Sequence, residues 1–278
     1  MPELPEVETM VRGIRDAVIG RQLKEFARTP CQRVPIVIKP EVDQIDQRLK
    51  SASLDDVVRL AKRVVLQWSN GDRTAIEPRM TGMMLLTDPP SEEHLRVEWQ
   101  FSGGRSLWFW DRRGLGTIQH YTAEQWQLAP EIQRIGPDAL VMSVAQWQAA
   151  LKKTSRPLKN VLLDQHVVAG IGNLYASEIL LLIGVHPLKP AKDLTKRQTE
   201  KLAEATKEVL NLAIQYEGST LSDGTYRNAV SQSGRYQNEH RVYKKEGEKC
   251  CLCRNGVIER IVVAQRATFF CPCCQKLK

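Results

Sequence analysis

Four cysteines near the end of this 278-residue chain form two C-x2-C pairs, and they restrict its fold more than any other feature. The pairs are Cys250 with Cys253 and Cys271 with Cys274, and the 17 residues from Arg254 to Phe270 separate them. Four thiolates at this spacing are typical of a tetrahedral zinc site that has no open position for substrate. We therefore predict one structural zinc ion, held by these four side chains on a β-hairpin.

Two further cysteines leave the ligand register open. Cys251 or Cys273 could replace a neighbour as ligand, but each would then pair as C-x-C, which is a less usual spacing. We interpret both as bystanders. A cluster of redox-active or free thiols is the alternative to a metal. A disulfide framework is not expected, because the acidic start of the chain does not resemble an export signal.

The composition indicates a globular protein with a polyanionic partner. Hydrophobic residues make up 42% and charged residues 26% of the chain, and the net charge is +8. A basic excess of this size favours nucleic acid first and an anionic membrane surface second. No apolar run approaches the roughly 20 residues that span a bilayer. The sequence therefore predicts a cytoplasmic protein that does not bind membranes.

The first 133 residues carry the pattern of an antiparallel β-sandwich with flanking helices. Apolar residues recur at helical spacing from Val7 to Val18, and short alternating runs follow from about residue 22 to residue 119. Asn70-Gly71 and Gly103-Gly104 each join two such runs, as the turns of β-hairpins do.

Beyond this region the apolar period becomes helical. Leu158–Gln165 and Asn173–Ile183 are predicted to be helices, and Thr195 with Gln198 is typical of the start of another. A polar segment at about 217–237 is predicted to be a long loop. We expect a multidomain α+β protein with three domains, at residues 1–133, 134–240 and 241–278.

The opening run Pro2–Thr9, PELPEVET, resembles the start of the formamidopyrimidine-DNA glycosylase family. Other segments resemble that family in the same order along the chain. Ile135–Pro137 resembles its interdomain segment, and its helix–two-turn–helix motif is matched by Leu163–Gln165, Val168–Asn173 and Tyr175–Glu178. Gly218–Leu221 resembles the start of its lesion loop, and the four-cysteine finger with Ile258–Val263 and Arg266 resembles its tail. The resemblance covers essentially the whole chain. It implies an N-terminal β-sandwich, a helical helix–two-turn–helix domain and a C-terminal zinc-finger β-hairpin.

The resemblance implies base-excision repair. The expected reaction removes oxidised purines, such as 8-oxoguanine and formamidopyrimidines, from duplex DNA and cleaves the abasic site by β,δ-elimination. Pro2, exposed once Met1 is removed, is the expected nucleophile, because an α-amine has a pKa near ~8 and is partly neutral at pH 7. Glu3 is the expected general acid. Lys62 matches the family lysine that faces the phosphate of the lesion.

The resemblance also implies a DNA interface. The residues expected to contact the DNA backbone or the damaged base are Lys159, Gly172, Asn173 and Arg266. Those expected to fill the gap left by the flipped nucleotide are Met80, Arg113 and Leu115. Glu6 and Glu178 are expected to support the site, Glu178 by orienting the proline. Two departures from the family fall on the gap-filling residues: Glu77-Pro78-Arg79 replaces the usual His-Leu-Gly before the methionine, and Leu115 replaces a phenylalanine.

Two other functions are compatible with parts of the pattern. The first is a glycosylase of the endonuclease VIII type that acts on oxidised pyrimidines; such enzymes usually open with Pro-Glu-Gly-Pro, so Leu4 favours the purine branch. The second is a zinc-finger DNA-binding protein without catalysis, which would not need the PELPEVE start. The favoured interpretation implies a monomer in the bacterial cytoplasm or nucleoid, bound to double-stranded DNA that contains oxidised bases.

Overall fold

The structure is a computed structural model, and it describes residues 2–87, 89–220 and 226–277. The helices are α1 (Leu4–Val18), α2 (Val42–Leu49), α3 (Ala123–Leu128), α4 (Pro130–Gln133), α5 (Val144–Lys152), α6 (Leu158–Leu163), α7 (Asn173–Ile183) and α8 (Lys196–Gln215). The strands are β1 (Leu23–Arg28), β2 (Val37–Lys39), β3 (Leu54–Leu60), β4 (Arg63–Trp68), β5 (Arg73–Glu77), β6 (Gly82–Leu85), β7 (Leu95–Phe101), β8 (Arg105–Asp111), β9 (Thr117–Tyr121), β10 (Glu259–Val263) and β11 (Arg266–Phe270). The predicted α+β class is confirmed. Among the described residues, no helix is both long and apolar enough to cross a bilayer.

The chain divides into two compact units. The first is Met1–Gln133 with Ile214–Gln237, and the second is Arg134–Ala213 with Asn238–Lys278. The division into domains at residues 1–133, 134–240 and 241–278 stays a prediction. The predicted loop region groups with the sandwich because side chains such as Tyr226 belong to its core. The zinc-finger segment groups with the helices because β11 packs against α7.

The first unit is a sandwich of two sheets with α1 in the same core. The strand orders are β1-β7-β8-β6 and β2-β9-β5-β4-β3. In β7 the alternating side chains of Val97, Trp99 and Phe101 are buried, as expected for a strand with one face on a core. Helix α1 buries its apolar stripe, including Met10 and Ile14, in that core.

One strand pair corrects the prediction of an antiparallel sandwich. β2 runs parallel to β9, with Val37 opposite Thr117 and Lys39 opposite Gln119. β2 is a three-residue edge strand that leads to helix α2, so no hairpin turn fixes its direction. The predicted hairpins at Gly71 and at Gly103-Gly104 are confirmed, and all three glycines have positive φ angles.

The second unit combines the helices α5 to α8 with the β10–β11 hairpin. α6 and α7 occupy the segments predicted to be helical, and Thr195 and Gln198 make the reciprocal hydrogen bonds of a capping box before α8. The hairpin turns at Ala264 and Gln265, which both have positive φ angles. Arg266 therefore begins β11, where it pairs with Val263.

Candidate functional site

The start of α1 is fixed to a distant segment of the same unit through Glu6. One carboxylate oxygen accepts the backbone N–H of Glu3 at 2.9 Å, and the other accepts that of Ser219 at 2.9 Å. Glu3 and Glu6 are both 3% exposed. The capping pattern that begins α1 thus also sets the backbone position of Glu3 relative to residues 218–220.

The approach of the two segments needs a residue without a side chain at Gly218. A Cβ atom there would lie 2.9 Å from Glu6 Cγ, and the φ angle is +78°. The hydroxyl of Tyr226 donates to the backbone oxygen of Glu6 at 3.3 Å, and burial together with Glu6 raises the pKa of Tyr226 well above its usual range. The predicted lesion loop is therefore held on both sides, while its residues 221–225, Leu221 included, lie outside the described residues.

A second carboxylate on α1 is structural. Glu8 accepts hydrogen bonds from Arg12 at 2.8 Å and from Arg59 on β3 at 2.9 Å. Burial raises the pKa of Glu8, but the two guanidinium groups outweigh it and the pKa is lowered. Lys62 follows Ala61 in the tight β3–β4 turn, where Ala61 has a φ angle of +56°, and its side chain is half-buried.

The three residues predicted to fill the DNA stack lie on two exposed turns of the sandwich. Met80 is 37% exposed and Leu115 47% exposed, and Arg113 is also exposed. Met80 precedes β6, and the other two follow β8. Since Gly82 of β6 pairs with Asp111 of β8, both turns leave the same end of one strand pair.

The carboxylate of Asp111 holds these two turns together from inside. Asp111 is fully buried, and it accepts hydrogen bonds from the hydroxyl of Thr81 and from the backbone N–H groups of Arg113 at 3.2 Å and Gly116 at 2.7 Å. Thr81 in turn accepts the same Arg113 N–H at 3.0 Å. The sequence alone did not predict this role for Asp111 or Thr81. A signal was available, since a buried Asp beside a Gly-rich turn commonly accepts its backbone N–H groups.

A buried arginine supports the same turn from the other side. Arg96 on β7 donates to the backbone oxygen of Asp111 through Nε at 2.8 Å and Nη2 at 2.6 Å, and to that of Val34 at 3.0 Å. A Cβ atom at Gly114 would lie 3.3 Å from Arg96 Nη2, so a larger residue would crowd this contact. Arg96 alternates with apolar residues in β7, and nothing in the sequence distinguished it.

The departure Glu77-Pro78-Arg79 has a visible consequence for the backbone. Arg79 has a φ angle of +54°, in the left-handed region that costs a residue with a Cβ atom about 1–2 kcal/mol. Its Nε forms an ion pair with Glu77 at 3.1 Å, and the second oxygen of Glu77 lies 3.3 Å from Arg63. The resemblance places a glycine at this position, and glycine would adopt the same conformation without that cost.

In the second unit, α7 begins at the turn that the helix–two-turn–helix motif predicts. Gly172 is the N-cap residue of α7, and the amide of Asn173 donates to the backbone oxygen of Ala267 at 2.9 Å. The side chain of Gln165 holds the preceding turn through the oxygen of Ile171 at 2.9 Å and the N–H of Gly170 at 2.9 Å. Asn173 thereby brings the helix start next to the β10–β11 hairpin, where Arg266 is exposed.

Lys159 does not reach the surface, contrary to the predicted direct contact with DNA. It is fully buried, and its ammonium group donates to Thr268 at 2.7 Å and lies 3.4 Å from the hydroxyl of Ser177. A buried ammonium needs such partners. Lys159 therefore joins the hairpin to α7: Thr268 is two residues from Arg266 on β11, and Ser177 is one helical turn from Asn173 on α7.

Glu178 is also fully buried, and it binds backbone groups. Its carboxylate accepts the N–H groups of Arg241 at 2.9 Å, Val242 at 3.0 Å and Tyr243 at 2.9 Å. Burial raises the pKa of Glu178, and the three N–H groups oppose that effect without cancelling it. Within the second unit, this residue fixes the segment that leads into the cysteine-rich tail.

The four predicted cysteine ligands meet in one cluster. Their sulfur atoms all lie within 4.8 Å of one another, with Cys250 3.8 Å from Cys274 and Cys253 3.7 Å from Cys271. The bystanders Cys251 and Cys273 are exposed and outside the cluster. Zinc–sulfur bonds of about 2.3 Å place the sulfurs of a tetrahedron roughly 3.8 Å apart, so the cluster fits a metal ion.

The four thiols of the cluster differ: burial raises the pKa of Cys271 and of Cys274, whereas backbone N–H groups lower the pKa of Cys253. The N–H groups of Gly256 and Asn255 lower the pKa of the Cys253 thiol to about 6, and Gly256 N lies 3.3 Å from its sulfur. A Cβ atom at Gly256 would lie 2.4 Å from Cys271 Sγ, so the loop needs glycine here.

Comparison with known proteins gives matches over nearly the whole chain. A family model described as the formamidopyrimidine-DNA glycosylase N-terminal domain matches residues 1–118, and one described as the formamidopyrimidine-DNA glycosylase H2TH domain matches residues 135–225. The formamidopyrimidine-DNA glycosylase of Chloroflexus aurantiacus is 37% identical over 99% of this chain and 98% of its own length.

Two solved structures show the same similarity in three dimensions. The Lactococcus lactis Fpg in complex with DNA that contains an abasic site has a TM-score of 0.87 at 30% identity, covering 99% of this chain and 100% of that one. A MutM in complex with DNA that contains carbocyclic 8-oxo-G has a TM-score of 0.86 at 30% identity, with the same coverage.

The anchoring role of Asp111 can be tested by Asp111→Asn. The amide places an N–H group where one carboxylate oxygen accepted a backbone N–H, so a donor would face a donor. We expect the free energy of unfolding to fall by about 2 kcal/mol in urea titrations. Amide hydrogen exchange at Arg113 and Gly116 should become faster. The exposed Asp16→Asn is the matched control, and unchanged exchange at both amides in Asp111→Asn would contradict the role.

Proposed function

The chain belongs to the formamidopyrimidine-DNA glycosylase family, and from this premise we propose that it removes oxidised purines from duplex DNA and cleaves the abasic site that results. The observation that carries the proposal is the hydrogen bonding of Glu6, which joins the Pro2-Glu3 start of the chain to Ser219 at the stem of the predicted lesion loop. The residues of the proposed chemistry and of lesion recognition therefore share one support.

Pro2 is the proposed nucleophile. Removal of Met1 leaves a secondary α-amine whose pKa near 8 keeps part of it neutral at pH 7. The amine attacks C1′ of the damaged nucleotide while Glu3 protonates the sugar ring oxygen, and the base leaves with the C1′–N bond electrons. The sugar opens to an iminium ion, since the proline nitrogen has no second proton to lose.

The iminium charge then drives strand cleavage. It acidifies the C2′ proton, whose removal expels the 3′ phosphate, and a second elimination expels the 5′ phosphate. Water hydrolyses the remaining iminium ion, which releases the sugar remnant as an unsaturated aldehyde and regenerates the Pro2 amine. Lys62, in the β3–β4 turn of the same unit, is proposed to face the phosphate of the lesion as a point charge.

The second unit is proposed to hold the DNA backbone. The start of α7 at Gly172 and Asn173 offers a helix N-terminus, which favours an anion, and Arg266 offers an exposed guanidinium on the hairpin. Lys159 acts here by joining the hairpin to α7 and not by contacting DNA. The four-cysteine cluster is proposed to hold one structural zinc ion, which fixes the hairpin and leaves no position for a reacting group.

The two turns anchored by Asp111 are proposed to fill the gap that base flipping leaves. Met80 and Leu115 supply apolar surface, and Arg113 reads the unpaired base. A guanidinium has only donors, and the Watson–Crick edge of cytosine offers O2 and N3 as adjacent acceptors. Adenine offers N1 beside an amino donor, so the contact discriminates between the two.

The nucleophile is tested by borohydride trapping on duplex DNA with 8-oxoguanine. Wild type should give a covalent adduct that peptide mapping places on Pro2. We expect Pro2→Gly to weaken trapping strongly, and Glu3→Gln to slow base excision by roughly 10²- to 10⁴-fold through loss of the general acid. Glu41→Gln, at an exposed helix start, is the control. An adduct on a lysine would rule out the assignment, and a preference for oxidised pyrimidines would favour the endonuclease VIII type.

The metal is tested by elemental analysis of the purified chain. We expect one zinc per chain in wild type and in Cys273→Ser. We expect loss of metal in Cys271→Ser, because Cys271 belongs to the cluster and Cys273 does not. Chelation should abolish DNA binding. Metal retained in Cys271→Ser but lost in Cys273→Ser would show that the other register is used.

Opposite-base reading is tested by single-turnover excision of 8-oxoguanine. Wild type should excise opposite cytosine about 5- to 150-fold faster than opposite adenine, the range that one bidentate contact supplies. Leu115 offers less stacking surface than an aromatic ring, so we expect a preference for cytosine near the lower end of this range. Arg113→Ala should lose the preference, while its exposed neighbour Arg112→Ala should keep it. Equal wild-type rates, or a preference that survives Arg113→Ala, would remove Arg113 from this role.

A further inference from the structure

An exposed arginine stands in a costly backbone conformation directly before the proposed wedge residue. Arg79 has a φ angle of +54°, and its side chain is 53% exposed. The turn around it is closed, since Gly82 donates to the backbone oxygen of Pro78 at 2.9 Å. Strained non-glycine residues cluster at functional sites, where the side chain has a use that offsets the strain. Among the described residues, nine that are not glycine have positive φ angles, and Arg79 is the one that directly precedes Met80.

Arg79 shares the carboxylate of Glu77 with Arg63. That carboxylate lies 3.1 Å from Arg79 Nε and 3.3 Å from Arg63 Nη2. Arg63 also donates to the backbone oxygen of Glu131 at 3.3 Å, and its charge interacts with the Glu131 carboxylate. The side chain of Arg63 is 20% exposed, whereas that of Arg79 is 53% exposed. Of the two arginines, Arg79 is therefore the one that solvent or a ligand can reach.

The position of this charge suits a DNA phosphate. Adjacent Cα atoms are about 3.8 Å apart, so a wedge formed by Met80 brings Arg79 to the backbone that borders the same base step. Glu77 engages Nε, which orients the planar guanidinium. A guanidinium matches the geometry of phosphate oxygens and stays charged at every physiological pH.

We propose that Arg79 binds a backbone phosphate of duplex DNA beside the base step that Met80 enters. The inference rests on the proposed wedge role of Met80. The replacement of His-Leu-Gly by Glu77-Pro78-Arg79 then has a function. Glu77 orients the guanidinium group of Arg79, and Arg79 adds one phosphate contact to the DNA interface.

The test is the salt dependence of binding to a fluorescent duplex that carries a tetrahydrofuran abasic analogue opposite cytosine. The variants are Arg79→Gln and Arg79→Gly, which remove the charge, and Arg79→Lys, which keeps it. Arg12→Gln is the matched control, because Arg12 is also exposed and paired with a glutamate on the same unit. Circular dichroism verifies folding, and Arg79→Gly remains informative if glutamine disturbs the turn.

Each phosphate contact contributes about 0.9 to the slope of log K against log salt concentration. When the salt concentration is raised from 50 to 200 mM, the loss of DNA affinity should therefore be about 3-fold smaller in Arg79→Gln and Arg79→Gly than in wild type. Arg79→Lys and Arg12→Gln should keep the wild-type slope. A wild-type slope in both charge-removing variants, or an equal change in Arg12→Gln, overturns the contact. A wild type that fails to trap or excise would instead contradict the proposed function.

Discussion

Buried carboxylates that accept backbone N–H groups fix the position of the functional segments of this chain. Asp111 does so for the two turns of the wedge, and Glu6 does so for the start of α1 and the stem at Ser219. Glu178 does so for residues 241–243 before the cysteine cluster. Charge-assisted hydrogen bonds of this kind are roughly twice as strong as neutral ones. The loops that carry the proposed reacting and DNA-contacting side chains are thus held by groups that need not touch DNA themselves.

Regular patterns in the sequence predicted the elements well, because each depends on residues close together in the chain. The stripe on α1, the glycine turns of the hairpins, the capping box at Thr195 and the C-x2-C spacing are all local signals. The resemblance to the glycosylase family then ordered these elements into domains. The C-x2-C spacing favoured Cys250, Cys253, Cys271 and Cys274 as ligands but left the register open, and the sulfur atoms of these four residues meet in the structure.

Long-range contacts explain what the sequence could not supply. The contact between Glu6 and Ser219 joins residues 213 positions apart, and no spacing rule reports it. The same holds for the parallel direction of β2, which depends on where an edge strand docks. Lys159 was predicted to contact DNA because it matches a family lysine near the damaged base or its backbone. Its burial depends on Thr268, a residue 109 positions later that accepts its hydrogen bond.

The departures from the family fall where the structure can accept them. Arg79 and Leu115 lie on exposed turns, whereas Glu77 ends β5 and Pro78 is buried. Asp111 and Thr81, which support these turns, contact backbone groups or each other. A backbone contact does not depend on the side chain at that position, so the turn keeps its geometry while its exposed side chains vary. The start of α1 differs, because Pro2 and Glu3 are themselves the proposed reacting groups. If the proposed wedge roles hold, lesion and opposite-base preference can change through these turns without altering the proposed chemistry at the start of the chain.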